Sequence, residues 1–233
     1  MMERPEETKP IFRGELALAI VVMLNSLAVV LMLHSGFGIS PMSSVSYTLY
    51  RLFPCLTLGT WSYLFQTALV AALMVARRKF VFSYLFSFVV GVAFGVAMDV
   101  HEAWVSGLPL NLPLRVVYLA VGMVGLALGI ALANHCKLPI IPTDLFPREL
   151  SAAFNWPYKR VKTIGDVTCL TVTVTLSLLF LGELEGVGLG TAVCALFMGR
   201  LVAVFNGILD RNFHFVTVLE RSHGKTIKNP STI

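Results

Sequence analysis

The sequence predicts an all-α polytopic membrane protein. It has six transmembrane helices as two inverted three-helix repeats, each with a Pro-marked segment able to re-enter the membrane, and both termini are cytoplasmic. Three observations predict this. The first is composition: of 233 residues, 56% are hydrophobic and 13% charged, with a mean hydropathy of +0.78. Soluble domains carry about 25% charged residues and need polar surface over their cores, so an ordinary soluble protein is excluded; the apolar content excludes disorder. The second is a series of six apolar runs separated by basic clusters. At about 20 residues per span they use up the chain and leave no room for a sizeable soluble domain. The third is a correspondence between the two halves.

The elements follow in order. Residues 1–13 are polar and mixed in charge, a cytoplasmic tail. They do not read as a signal peptide, because the apolar run that follows is long enough to span and no small-residue cleavage site ends it. That run, Gly14–Leu33, is the first span. It leads into LHSGFGISPMSSVSYTL, where Pro41 opens a polar segment. Thr57–Ala76 is the second span and Phe80–Met98 the third, ending at Asp99. Residues 14–112 thus make the first repeat. Pro113–Ala133 is the fourth span and leads into ANHCKLPIIPTDLFPREL, where Pro142 opens the matching segment. The loop from Lys137 to Lys162 holds four prolines, Trp156 and Tyr158. It reads as interfacial or partly re-entrant, with a short helix near Arg148–Phe154 and basic residues that attract anionic lipid. Val167–Gly182, extended through Lys162–Asp166, is the fifth span, and Gly186–Leu209 the sixth. Residues 113–210 make the second repeat and 211–233 a cytoplasmic tail.

Charge sets the orientation. Fifteen Lys and Arg fall in the N-terminal tail, the second–third loop, the fourth–fifth loop and the C-terminal tail. The opposite side has two, Arg51 and Arg115, while Arg200 lies inside the sixth span. The positive-inside rule places both termini in the cytoplasm and requires an even number of spans. The net charge of +5 therefore reflects topology and points to no nucleic acid. The four cysteines are scattered, without CxxC or zinc spacing, and read as small apolar helix residues.

The repeat rests on spacing. His34 precedes Pro41 by seven residues, and His135 precedes Pro142 by seven. A Gly-polar pair, Gly59-Thr60 or Gly165-Asp166, then opens the next span. Small residues recur on the third and sixth spans: Gly91 and Gly95, and Gly199 and Ala203. Three spans per half is odd, so the halves face opposite ways, a pattern shared by many secondary transporters.

These residues carry a resemblance. Gly36-Phe37-Gly38-Ile39-Ser40-Pro41, Asp99 at the end of the third span, Pro142-Thr143-Asp144, Asp166 and the turn Gly186-Val187-Gly188-Leu189-Gly190-Thr191 occur in one order. In that order the chain resembles the YitT/YczE/YyaS group of bacterial integral membrane proteins over roughly residues 14 to 210. Met42-Ser43-Ser44 stands where that group often carries an acid, which weakens a symmetric two-acid site. The resemblance implies a bacterial inner-membrane location and a transporter with no assigned substrate.

Polar residues at membrane depth are the site candidates, since a charge there costs at least about 2.5–3.5 kcal/mol on insertion scales. Arg200 lies roughly 20 Å along the sixth span. It can snorkel to headgroups, pair with Asp166 or Asp144, or bind an anionic substrate. Asn25 and Gln66, near the middles of the first two spans, either bond across helices or line a cavity. Ser40 and Ser43, beside Pro41, join Asn25, Gln66, Asp144, Asp166 and Arg200 as candidate substrate contacts. Asp99 and His101 are either a solvated helix end or a coupling-ion or proton site. The Gly186–Thr191 turn suits an anion in principle, but Glu183 and Glu185 oppose one, so a tight interhelical turn is expected.

No catalytic motif, P-loop or metal cluster is visible, so an enzyme, a cofactor and a bound metal are not expected. The expected function is a secondary carrier or exporter of a small solute, working by alternating access between the repeats. The alternatives are a substrate-binding membrane subunit of a multi-subunit importer, and a non-transporting regulator or assembly factor. A homodimer or a membrane partner subunit is left open.

Overall fold

A computed structural model of the chain describes residues 11–78, 82–136 and 141–216. Arg4, Lys9, Lys79, Lys137, Arg221, Lys225 and Lys228, all used in the charge count, lie outside the described residues. Six long helices carry the apolar runs: α1 (Gly14–Ser35), α3 (Leu58–Arg77), α4 (Phe82–Val105), α5 (Leu112–His135), α7 (Tyr158–Leu176, continued by a π turn Ser177–Leu181) and α8 (Leu189–Asn212). Each is long and apolar enough to cross a membrane. The chain is therefore described as a multi-pass membrane protein.

Two shorter helices fill the Pro-marked segments: α2 (Pro41–Leu52) and α6 (Pro142–Phe154). Each has its proline in the first turn, where a missing N–H costs nothing and the fixed φ suits a helix. With 12 and 13 residues, they extend about 18–20 Å, too short for a bilayer core of about 30 Å.

Three expectations change. The third span does not stop at Asp99; α4 continues to Val105, because His101 and Val105 prolong its buried face until Gly107 and Pro109 end it. The short helix of the fourth–fifth loop starts at Pro142 rather than near Arg148. And α7 starts at Tyr158, so Gly165-Asp166 lies two turns inside the helix and does not open it.

Packing is organised around α1, the most buried span, which lies along α5 and α4. α5 in turn packs on α8. The short helices cross over: α2 lies on α7, and α6 lies on α3. Within its own half, each short helix also touches the long helix that follows it. α3 and α4 approach closely at Gly59 and Gly95, where a Cβ on Gly95 would stand 2.6 Å from the Gly59 carbonyl oxygen. α7 and α8 are outermost, with 11% of each apolar window buried against 56% for α1. Their exposed Leu, Val and Phe side chains suit lipid. Finally, β1 (Ile11–Arg13) pairs in parallel with β2 (His214–Val216), which joins the start of α1 to the end of α8.

Candidate functional site

A polar group lies where α6 meets α7. Asp144 occupies the first turn of α6 and stands within electrostatic reach of Lys162, Asp166 and Arg148. Tyr158 opens α7 beside them. Lys162 and Asp166, one turn apart on α7, form an ion pair of 2.9 Å. The helix α6 does not span, and its Asp144 is half-buried. Burial pushes the Asp144 carboxyl above its ordinary value; Asp166 pushes the same way, and Lys162 and Arg148 oppose it. Asp166 is the ninth residue of α7, about 12 Å from its start. The group therefore offers a carboxyl biased toward its neutral form beside a paired carboxylate, within a turn or two of the bundle centre. Such a set can take up a proton or hold a cationic or hydrogen-bonding group.

The N-terminus of α6 leads to the next candidate. The Pro142 ring faces Gly91, and so does Gln66: a Cβ on Gly91 would be 3.6 Å from Pro142 Cγ and 3.0 Å from Gln66 Oε1. Gln66 is 1% exposed; its amide donates to Ser62 Oγ at 3.3 Å, while Oε1 is buried with no partner. Asn25, 2% exposed, presses on Gly129 of α5, and its Oδ1 is likewise unpartnered. Buried amide oxygens of this kind are costly unless satisfied. Two of them near the middles of the spans are the strongest sign of a polar interior.

The opposite half-helix is built in parallel. Ser40 donates to Ser43 at 3.0 Å at the start of α2, and Ser44 shares a 2.8 Å hydrogen bond with Thr173 of α7. The preceding stretch is clasped by the α7–α8 connection: Ile39 N–H donates to the Gly186 carbonyl and Gly190 N–H to that of Phe37. The Gly186–Thr191 turn is thus an interhelical clasp, and one of the α8 N-terminal donors is already taken.

The remaining candidates stand apart. Asp99 binds the N-terminus of α3, accepting from Gly59 N–H and Thr57 Oγ1 at 2.7 Å each. His101 is buried, and its Nδ1 accepts from Trp104 Nε1 at 3.2 Å. Arg200 projects from the exposed face of α8, its guanidinium 5.9 Å from the Phe197 ring. Among the described residues it forms no ion pair with Asp144, Asp166 or any other acid. So Asp144 and Asp166 come together, Ser40 and Ser43 come together, and Arg200, Asp99 and His101 join neither group. Among the described residues no three His, Cys, Asp or Glu side chains could hold a metal ion.

Sequence reasoning missed two clusters of arginine, glutamate and tyrosine: Arg51, Glu185 and Tyr47, and Arg77, Glu149 and Tyr84. The one available signal was Arg51, one of two cations on the sparsely basic side, with glutamates on the same side.

Residues 12–207 match a family of unknown function, DUF6198. No curated protein and no solved structure matches the chain.

Proposed function

The chain belongs to the DUF6198 family, and we propose that it is a secondary carrier of a small solute that works by alternating access between two inverted repeats. One observation carries the reading: each half lends its short helix to the other, α2 to α7 and α6 to α3. Exchange of the halves also maps α1 on α4 onto α5 on α8. Interrupted segments that meet inside a bundle are where secondary transporters place substrate and coupling ion. The candidate contacts are Asp144, Asp166 and Lys162 on one side, Gln66 and Asn25 centrally, and Ser40 and Ser43 on the other. The motif order shared with the YitT/YczE/YyaS group supports the same reading, as does the charge asymmetry for a bacterial inner membrane with both termini inside.

Thermal unfolding of the purified protein against a panel of small metabolites tests this. A ligand at 100 times its Kd stabilises by about 2.7 kcal/mol. We expect at least one hit, lost in Asp166→Asn or Asp144→Asn although both variants stay folded. An empty panel with folded variants would sink the carrier reading. Arg200 favours one further reading, a partner-dependent membrane subunit, because it stands exposed midway along α8 without an acid. Co-purification of a second membrane protein that is lost in Arg200→Leu would point there.

A further inference from the structure

The two clusters that the sequence hid lie at opposite ends of α3. At its Leu58 end, Arg51 in the last turn of α2 pairs with Glu185 in the α7–α8 connection at 2.7 Å. The Tyr47 side chain, one turn back on α2, is half-buried within electrostatic reach of both partners. Its ring lies against Gly186, where a Cβ would stand 2.7 Å from Tyr47 Cδ1. At the other end, Arg77 pairs with Glu149 of α6 at 2.6 Å. Tyr84, near the start of α4, donates to Glu149 Oε2 at 2.7 Å and accepts from Arg77. The 20 residues of α3 separate the clusters by about 30 Å.

The two have one construction. Each joins an arginine, a glutamate and a tyrosine. Each ties the short helix of one half to the hairpin connection of the other half. The signs are exchanged: the short helix supplies the arginine at one face and the glutamate at the other. Both pairs keep partial exposure, with side chains 45% and 13% exposed at Arg51–Glu185 and 30% and 24% at Arg77–Glu149. Partly exposed pairs are worth little individually, and Glu185, whose Oε2 is buried without a partner, gives up the more solvent of the two glutamates.

We propose that these clusters are paired latches, one at each membrane face, which open in turn during the transport cycle. The inference rests on the alternating-access reading. Each latch bridges the two halves, so a rocking motion that lengthens one bridge relaxes the strain on the other. Here both are closed, so the halves are bridged at both ends. Opening the Arg51–Glu185 latch frees α2 from α7; opening the Arg77–Glu149 latch frees α6 from α3.

A native reporter lies beneath α2. Cys169 of α7 is buried and packs with Met42 and Val45 of α2. In a variant carrying Cys55→Ser, Cys136→Ser and Cys194→Ser, it is the single thiol, and its reaction rate with N-ethylmaleimide reports how often α2 lifts. Glu185→Gln should raise that rate roughly three- to fivefold, the weight of a partly exposed ion pair. Glu149→Gln should lower it by a similar factor, because the opposite face opens at the expense of this one. The double variant should return near the parent rate. If a glutamate variant does not fold, Arg51→Gln and Arg77→Gln probe the same pairs from the other partner. Rates that move in the same direction, or not at all, overturn the latches, since loss of a merely stabilising contact loosens the bundle alike from either end. Opposite responses uphold the latches even where the metabolite panel is empty. Solute hits with parallel rate changes sink the latches and leave the carrier reading standing.

Discussion

Asp99 shows how a single carboxylate is accommodated within an apolar helix. An uncompensated charge at membrane depth costs at least about 2.5–3.5 kcal/mol on insertion scales. Here both carboxylate oxygens are used, one by the Gly59 N–H and one by the Thr57 hydroxyl, so Asp99 caps α3 from a neighbouring helix. Asp99→Ala should lower stability by about 2 kcal/mol, the loss of two hydrogen bonds to a charged acceptor, and Asp99→Asn by less. Thermal unfolding in detergent reads this; a wild-type midpoint for Asp99→Ala would exclude the capping role. Asp144 poses the reverse case. Its raised pKa means that the folded state binds the proton more tightly than the unfolded chain does. Its contribution to stability is therefore complete below the ordinary aspartate range and is lost as pH rises through the raised value. Asp144→Asn removes that dependence. Its unfolding midpoint should fall less than wild type between acid and neutral pH, and parallel curves would refute the assignment.

At the scale of elements, the clasp around Gly38 is a close approach that no other residue type can make. Gly38 has φ +104°, and a Cβ there would stand 2.7 Å from the Gly188 nitrogen, with the Thr191 side chain closer still. Gly38→Ala should cost at least about 2 kcal/mol, by strain and by prising the α1–α2 link from the start of α8. Gly199→Ala, on a helix face with nothing within 4 Å, should be neutral or stabilise by up to about 1 kcal/mol through helix propensity. Equal midpoints for the two variants would rule out the clasp. The same contrast explains what was legible in advance. Long apolar runs and prolines act locally, so six spans and two Pro-started segments could be read directly. The end of α4 and the start of α7 could not, because Asp99 and Lys162–Asp166 look like helix ends until their partners are seen. The crossing of α2 onto α7 and α6 onto α3 was invisible for a deeper reason. Arg51 and Glu185, or Arg77 and Glu149, are far apart in the chain, and only the assembled bundle pairs them.

For the whole molecule, the small β pairing constrains topology more firmly than its size suggests. Ile11 pairs with His214, Phe12 with Phe215 and Arg13 with Val216, so residues directly before α1 and directly after α8 are hydrogen-bonded neighbours. Phe12 also stacks on Phe213 and Phe215, with ring centroids 5.8 and 5.5 Å apart. Nearby, His135 at the end of α5 pairs with Asp210 at 2.8 Å, which secures that corner of the bundle. Strands cannot pair across a hydrocarbon layer, where each backbone group needs an internal partner. The residues that lead into α1 and out of α8 therefore lie on one face of the bundle. In the topology we propose, the excess of Lys and Arg on that side selects the cytoplasm. Epitope tags at the two ends should be protease-sensitive together in inverted membrane vesicles and protected together in right-side-out ones. One tag cleaved in each preparation would break the even-span topology, and with it the inverted relation between the halves. Both tags cleaved only in right-side-out vesicles would keep the six-span fold and reverse its orientation, which would assign the Arg77–Glu149 latch to the outer face.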